Sequence, residues 1–315
     1  MKARIIVILG PTASGKSDLA VKLAKKFEGE VISADSRQVY KGMDIGTGKI
    51  TKKEMEGIPH HLLDVASPKR KFTVSQYRKL ALAAIKKIIK KGKVPIVCGG
   101  SGFYIQALID GILIPGIKPD WALREKLEKK TTKDLFLELK KLDPERAKTI
   151  DKANKRRLIR ALEIVIKTKK PVPKIKRQPL PYPVLIIGVK KDKKELKVLI
   201  EKRLLKRLRK GMLAEVKQLK HSGLSWKRLE EFGLEYRYLA RYLQGKIDYK
   251  DMIKSLKTEI EQFSKRQMTW FNHQIDDFTA QNFSKKNFGE FKKYKRIHWI
   301  KKQSEAEKLV KNFLE

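Results

Sequence analysis

The 315-residue chain carries 75 Lys and Arg against 35 Asp and Glu, a formal net charge of +40, and 41% of its residues are hydrophobic. That hydrophobic fraction supports a packed core and excludes an intrinsically disordered chain, and the length predicts one large or two modest domains. Because so large a positive charge attracts polyanions, nucleic acid is the expected partner, with a lysine-rich solvated surface as the alternative explanation.

The single cysteine and the first residues predict the compartment. One cysteine, Cys98, excludes a disulfide framework and a cysteine-rich zinc module and favours a reducing cytoplasm. Met1 to Arg4 lead directly into a short apolar run, which does not resemble a signal peptide. Apolar runs also fall far short of the ~20 residues of a membrane span. We therefore expect a cytoplasmic protein without a membrane partner. A monomer is the working expectation, and no feature of the sequence reveals the oligomeric state.

Four short apolar runs predict buried strands. They span residues 4–9, 30–33, 94–98 and 184–189. Helical periodicity follows the first run at residues 17–27 and precedes the third at residues 75–89. Buried strands that alternate with helices are typical of parallel strands joined by helical crossovers. The expected fold class is α/β, with a parallel sheet like that of the phosphate-loop NTPases.

Between the third and fourth strands the pattern changes to helices without strands, from Pro119 to about Thr168. A proline-rich segment then returns the chain to the fourth strand. This predicts a helical insertion domain over residues 119–181 within a core domain made of residues 1–118 and 182–315. After the fourth strand the chain is predicted to be helical to about residue 271.

The tail from Phe283 to Lys302 interleaves aromatic residues with eight Lys or Arg. The interleaved aromatic residues include Phe288, Phe291, Tyr294 and Trp299. This composition allows an RNA-binding role for the tail, which is the basis of one alternative interpretation below.

The strongest motif lies between the first strand and the first helix and matches G-x-x-x-x-G-K-[ST]. It consists of Gly10, Pro11, Thr12, Ala13, Ser14, Gly15, Lys16 and Ser17. In such a loop the backbone N–H groups and the helix dipole bind phosphate oxygens, the lysine adds a positive charge, and the serine hydroxyl can hold Mg²⁺. The motif predicts a phosphate ligand without identifying the compound.

Two further segments follow predicted strands. Asp35 comes after the second strand, and a glycine turn with Ser101 comes after the third. Ligands of open parallel sheets bind beyond the carboxyl ends of the strands, so these segments should face the phosphate loop. Asp35 is then a candidate base or metal ligand, although an Asp at a strand end is often only a cap. The third strand ends without the acid that phosphate-loop ATPases use for Mg²⁺, which weakens ATP hydrolysis without excluding kinases.

Six strings in this order and spacing resemble the tRNA dimethylallyltransferase family, from residue 4 to about residue 271. They are GPTASGKS, ADSRQVYKGMDIGTGK, IPHHLLDV, VCGGSGFYIQALIDG, NKRRLIRALE and SKRQMTWF. The resemblance implies transfer of a dimethylallyl group from dimethylallyl diphosphate to the exocyclic N6 amine of adenosine 37, next to the anticodon. The implied partner is the anticodon stem-loop of tRNA, and the implied ion is Mg²⁺.

For the donor, the resemblance implies that the phosphate loop holds a diphosphate, with Thr12 at the bridging oxygen that leaves and Mg²⁺ at Ser17. It also implies an arginine that balances the departing charge. The spacing to Gly211 and Glu215 assigns this role to Arg203. An upstream arginine frequent in the family is Leu199 here.

For the acceptor, the resemblance implies that Asp35 takes a proton from the adenosine amine and that Gln38 bonds the same base. Further tRNA contacts are implied for Ser36, Arg37, Ser101, Leu123, Arg124, Arg156, Arg157, Leu158, Ile159 and Arg160. Arginine suits this task because its planar group both forks onto phosphates and stacks on bases.

Other residues have a structural interpretation or none. His60 and His61 are expected to be structural, and Trp270 and Phe271 are expected to pack. The string FGLEY at residues 232–236 departs from the family's usual string, and the sequence assigns no consequence to it. Three alternative functions stay open: a small-molecule kinase, prenyl transfer to a free adenine nucleotide, and RNA binding by the tail without catalysis.

Overall fold

The computed structural model describes residues 3–113, 115–173, 176–274 and 297–315. The chain forms two compact units. The first joins Met1–Gly111 to Pro179–Glu315, and the second is Ile112–Gln178. Each unit has its own hydrophobic core, two clusters on opposite faces of a sheet in the first and one helical cluster in the second.

The first unit is built on a sheet. Among the described residues its strands are β1 (Ile5–Leu9), β2 (Gly29–Ser33), β3 (His60–His61) and β4 (Val94–Gly99), together with β7 (Val184–Val189) and β8 (Ile297–Ile300). A short antiparallel pair, β5 (Ile112–Leu113) and β6 (Lys176–Arg177), belongs to the second unit. The sheet order is β3-β2-β4-β1-β7-β8 and every pairing is parallel. The α/β fold class and all four predicted strands are therefore confirmed.

Two strands of this sheet were not predicted. β3 has only two residues, too few for a periodic signal, and β8 lies in the basic tail. Trp299 of β8 packs on Gly188 of the neighbouring strand, where a Cβ atom would collide with the indole. This end of the tail is thus part of the core, whereas Phe288, Phe291 and Tyr294 lie outside the described residues.

Helices connect the strands of the first unit, as far as the structure describes it. They are α1 (Lys16–Lys26), α2 (Val74–Lys90), α3 (Gly102–Ile109), α8 (Lys193–Arg209), α9 (Met212–His221), α10 (Trp226–Glu231), α11 (Leu234–Leu243), α12 (Tyr249–Gln274) and α13 (Gln303–Leu314). The α2 helix begins with a reciprocal capping box, in which Thr73 and Gln76 bond each other's backbone N–H groups. The two predicted helices, 17–27 and 75–89, match α1 and α2 within one residue at each end.

The second unit is helical between its two short strands. Its helices are α4 (Trp121–Glu128), α5 (Thr132–Leu142), α6 (Pro144–Thr149) and α7 (Lys155–Thr168). The apolar face of α7 packs on α5, and Leu135, Leu139, Leu158 and Leu162 are fully buried there. Asn154 caps α7 by accepting a hydrogen bond from the N–H of Arg157 at 3.2 Å.

None of the described helices is both long enough and apolar enough to cross a membrane.

Candidate active site

The phosphate loop, residues 10–17, turns from the end of β1 into α1. Gly15 adopts a left-handed conformation with φ of 86° and leads into the helix without a side-chain cap. The first N–H groups of α1 therefore have no side-chain acceptor from the Gly15 position and remain suited to an anion. Gly10 lies so close to β7 that a Cβ atom there would be 2.9 Å from the carbonyl oxygen of Val189. Glycine is therefore required at position 10 by this close approach and is favoured at position 15 by its left-handed backbone.

Two half-buried cations, Lys16 and Arg203, lie at this loop. Lys16 Nζ donates to the carbonyl oxygen of Pro11 at 3.2 Å, and Arg203 donates to Thr12 Oγ1 at 3.4 Å and to the carbonyl oxygen of Gly48 at 3.3 Å. Neither cation forms an ion pair with any carboxylate in the described part of the chain. Burial lowers the pKa of Lys16, and the nearby Arg203 lowers it further. Two neighbouring positive charges that are partly withdrawn from water and lack an ion pair are costly without an anion beside them.

Asp35 follows β2 and lies in the same crevice, since its charge raises the pKa of both Lys16 and Arg203 against the effect of burial. Its Oδ1 accepts the backbone N–H groups of Arg37 at 2.8 Å and Gln38 at 3.4 Å. Asp35 is therefore a cap for its own turn. Among the described residues no group donates to its second oxygen, Oδ2, so one face of the carboxylate is available to a ligand.

The turns after β2 and β4 are tied together. The N–H of Ser36 donates to Ser101 Oγ at 2.9 Å. Gln38 accepts from Ser33 Oγ at 3.3 Å and donates from Nε2 to the carbonyl oxygen of Gly48 at 3.2 Å. Arg37 lies against Phe232, with its guanidinium carbon 5.9 Å from the ring centre. Ser36, Arg37, Gln38 and Ser101 thus surround Asp35.

Gln267 on α12 is a site residue that the sequence reasoning missed. Its buried amide accepts the N–H of Thr12 at 2.9 Å and donates to the carbonyl oxygen of Gly100 at 2.8 Å. One side chain therefore links the phosphate loop to the glycine turn. The available signal was the uncharged Gln within the SKRQMTWF string, on the helix face that carries the fully buried Phe271. Trp270 packs over Gly102, where a Cβ atom would collide with its ring.

The predicted tRNA contacts of the second unit separate into three groups. Arg156 and Arg157 are exposed on the first turn of α7. Leu158 and Ile159 are buried in the helical core, so their side chains support the helix that carries the two arginines. Leu123 is half-buried and packs against the same core.

Arg124 and Arg160 form the third group, because both pair with the fully buried Glu163. Arg124 makes a bidentate pair, with Nε 2.8 Å from Oε1 and Nη2 2.7 Å from Oε2, and Arg160 bonds Oε2 from the next turn of α7. Burial alone would raise the pKa of Glu163, but the hydrogen bonds from Arg124, the Asp120 N–H and Arg160 lower it to about 2. These two arginines therefore hold the second unit together.

The metal expectation rests on Ser17, which is exposed at the start of α1. No group of three or more His, Cys, Asp or Glu side chains capable of holding a metal occurs in the described ranges. A hydroxyl near phosphate oxygens still fits Mg²⁺, because this ion keeps several waters and commonly binds through few protein ligands and the substrate phosphates.

Comparisons with known proteins find one family and several relatives. The family described as IPP transferase matches residues 38–274. A curated tRNA dimethylallyltransferase from Pelotomaculum thermopropionicum is 39% identical over 312 residues, covering 97% of this chain and 93% of the relative.

Two solved structures are also similar. The full-length tRNA isopentenylpyrophosphate transferase from Bacillus halodurans is 33% identical, with a TM-score of 0.68, and 100% of this chain and 96% of that chain are covered. A eukaryotic dimethylallyltransferase acting on tRNA is 30% identical, with a TM-score of 0.75, and 89% of this chain and 73% of that chain are covered. The sequence match and the fold together show that this chain belongs to the IPP transferase family.

Proposed function

We propose that the protein transfers a dimethylallyl group from dimethylallyl diphosphate to the N6 amine of adenosine 37 in tRNA, giving N6-(dimethylallyl)adenosine and diphosphate. The observation that carries this proposal is the pair of half-buried cations, Lys16 and Arg203, at a phosphate loop and without an ion-paired carboxylate among the described residues. A diphosphate supplies the missing anion. The relatives named above act on tRNA, which supports the choice of acceptor.

The donor half of the site binds and releases diphosphate. The loop amides and the α1 dipole hold its oxygens, and Lys16 and Arg203 neutralise the charge that grows as the carbon–oxygen bond breaks. The contact between the Thr12 hydroxyl and Arg203 supports a role for Thr12 at the bridging oxygen that leaves. When Mg²⁺ is bound, Ser17 and the diphosphate oxygens hold it, and the ion offsets further negative charge.

The acceptor half of the site activates a weak nucleophile. The adenosine amine attacks C1 of the dimethylallyl group, the electron pair of the old C–O bond leaves with diphosphate, and the amine proton passes to Asp35 Oδ2. The backbone bonds to Oδ1 hold the carboxylate in one orientation and leave Oδ2 without a donor among the described residues, which supports its role toward the amine. We assign Gln38 and Ser101, which belong to the turns beside Asp35, to contacts with the base.

Three assays on one preparation test this proposal. We expect radiolabelled dimethylallyl diphosphate to label an anticodon stem-loop that contains adenosine 37, and not a stem-loop in which that position is guanosine. Labelling of free AMP or ADP in place of RNA would support the nucleotide prenyltransferase alternative. Transfer of γ-phosphate from ATP to a small molecule, without any prenylation, would support the kinase alternative. β4, the strand beside β1, ends in Cys98-Gly99 without an acid, which argues against that outcome.

Donor affinity should depend on pH through Lys16. Its protonated form binds diphosphate, and burial lowers its pKa from the usual 10.5 in the free protein, whereas a bound anion raises it. Affinity for the donor should therefore fall as pH rises through the lowered pKa, by at most about tenfold per pH unit. The measurement is calorimetric titration with the donor from about pH 7 to 10. A Lys16→Arg variant, whose charge does not titrate in this range, should bind the donor with an affinity that does not depend on pH. If the variant shows the same fall in affinity with pH as the wild type, the assignment to Lys16 is wrong.

The arginines of α7 should differ in their effects: Arg156 and Arg157 should contribute to tRNA binding, and Arg160 to the stability of the second unit. Replacing exposed Arg156 and Arg157 with alanine should weaken stem-loop binding and reduce its salt slope by roughly one unit for each phosphate that is no longer neutralised, with little change in Tm. The same change at exposed Lys140 and Lys141 of α5 is the control for diffuse charge. Arg160→Ala should instead destabilise the second unit by about 1–3 kcal/mol, because Glu163 is deprived of a charged partner. An equal weakening of RNA binding in the arginine and lysine variants would show that Arg156 and Arg157 only add charge.

We also propose a monomer in a reducing cytoplasm, since Cys98 is a buried thiol. Light scattering of the protein alone and with stem-loop tests the first part.

A further inference from the structure

Arg203 reaches the phosphate loop from α8 and makes a second contact, to the loop of residues 44–48. Its Nη2 donates to the carbonyl oxygen of Gly48, which also accepts from Gln38. A Cβ atom at Gly48 would collide with the Arg203 guanidinium, and the left-handed φ of 61° favours glycine there. The position of residues 44–48 therefore sets the position of the proposed charge-balancing residue.

Glu215 on α9 holds this loop by its backbone. Its Oε2 accepts the N–H groups of Asp44 at 2.8 Å and Ile45 at 2.6 Å, and its Oε1 accepts that of Gly46 at 2.9 Å. One carboxylate thus takes three successive amides. Charge-assisted bonds of this kind are stronger than neutral ones and fix the path of the backbone.

Arg207 holds the same loop by its carbonyl oxygens. Its Nε donates to Ile45 at 2.7 Å, and its Nη2 also bonds Gly46. Arg207 lies one helical turn after Arg203, but its charge is paired with Glu235 at 2.7 Å. Because the charge of Arg207 is paired with Glu235, Arg203 is the residue of these two whose charge can meet that of a ligand.

Two further residues support Glu215 and Arg207, and both belong to the string at residues 232–236, which departs from the family pattern. Glu235 pairs with Arg207, and the Tyr236 hydroxyl donates to Glu215 Oε1 at 2.7 Å. Tyr236 is 2% exposed and its ring covers Gly46, where a Cβ atom would collide with it. Two residues of this unusual string, Glu235 and Tyr236, therefore hold the two charged side chains, Arg207 and Glu215, that bond the backbone of the loop.

We propose that Glu215, Arg207, Glu235 and Tyr236 form a clamp that positions Arg203 through residues 44–48, without touching the substrates. This inference rests on the proposed role of Arg203 in prenyl transfer. These are positioning residues, so their replacement should lower kcat by way of Arg203, and their effect should vanish when Arg203 is absent.

The test compares Tyr236→Phe and Glu215→Gln, each alone and combined with Arg203→Ala. Phenylalanine keeps the ring and removes one hydroxyl, and glutamine keeps the shape but cannot accept three N–H groups with a full charge. We expect kcat to fall by about 10–100-fold for Glu215→Gln and less for Tyr236→Phe, with donor KM nearly unchanged, since small displacements of a catalytic group have effects of this size. In the Arg203→Ala background neither change should lower the residual single-turnover rate further.

Matched controls remove similar groups elsewhere. Tyr77→Phe removes a buried hydroxyl that has no partner among the described residues, and Glu230→Gln weakens an ion network on α10 and α11. Both should keep wild-type kcat. Hydrogen exchange should show faster exchange at the amides of residues 44–46 in Glu215→Gln.

The outcomes separate this inference from the proposed function. If the wild-type protein prenylates no RNA, the proposed function is wrong. The clamp is then tested only by whether Glu215→Gln speeds hydrogen exchange at the amides of residues 44–46. Active wild-type protein in which Glu215→Gln lowers the rate by the same factor with and without Arg203 overturns the clamp. So does an effect confined to the KM for stem-loop, since it would place Glu215 in RNA binding.

Discussion

Replacing Asp35 with alanine is expected to lower kcat by roughly 10²–10⁴, the range for a positioned general base, while donor affinity stays nearly unchanged. The physical reason is that an adenine amine is a poor nucleophile until a carboxylate takes its proton. The measurement is the single-turnover rate at saturating donor and stem-loop. Alanine alone, however, also removes the acceptor for the N–H groups of Arg37 and Gln38.

Asp35→Asn separates the two roles. The asparagine side-chain oxygen can still accept both backbone bonds, so the turn and the Tm should be preserved. Its amide cannot take a proton from the amine, so kcat should fall nearly as far as in the alanine variant. If the asparagine variant instead turns over at close to the wild-type rate, Asp35 is only a cap, and the base must be sought elsewhere.

Replacing Arg203 with alanine should lower kcat by roughly 10²–10³, about 3–4 kcal/mol of transition-state stabilisation, comparable to removing one oxyanion donor. Arg203 is half-buried and has no ion-paired carboxylate among the described residues, so its charge is available for the departing diphosphate. Leu199 occupies the position where the family often has a second arginine, so this chain has one fewer cation to compensate.

Two variants control the Arg203 result. Lys202→Ala removes an exposed cation from the same helix and should keep kcat, which excludes a general charge effect. Arg203→Lys keeps the charge but cannot donate to both Thr12 and Gly48, so its rate should lie between wild type and alanine. A rise in donor KM without a fall in kcat would make Arg203 a ground-state binder and contradict the proposed role.

Local features of the site were predictable from sequence. The phosphate loop has a strict pattern of residue types because its backbone must turn tightly between a strand and a helix, so Gly15, Lys16 and Ser17 can be assigned without a structure. Asp35 follows from the rule that ligands bind beyond the carboxyl ends of parallel strands. The apolar runs of β1, β2, β4 and β7 are detectable because both faces of each strand are buried.

Long-range contacts were not predictable, because nothing local in the sequence records them. Gln267 lies 255 residues from Thr12 along the chain, and its role depends on α12 passing the phosphate loop. The strand β8 has only four residues and lies between basic residues, so its apolar pattern is too short to be recognised in the sequence. Its burial depends on pairing with β7.

The chemistry of a charged residue depends on its partners, which only the tertiary structure decides. In the sequence Arg124, Arg156, Arg157, Arg160, Arg203 and Arg207 are alike. The fold pairs Arg124 and Arg160 with Glu163 and Arg207 with Glu235, exposes Arg156 and Arg157, and leaves Arg203 half-buried without an ion pair in the described structure. Sequence alone determined the fold class and the loop that joins β1 to α1, because short-range geometry dictates both. Which arginine stays without a carboxylate partner was decided by packing, since burial and pairing arise only when distant segments meet.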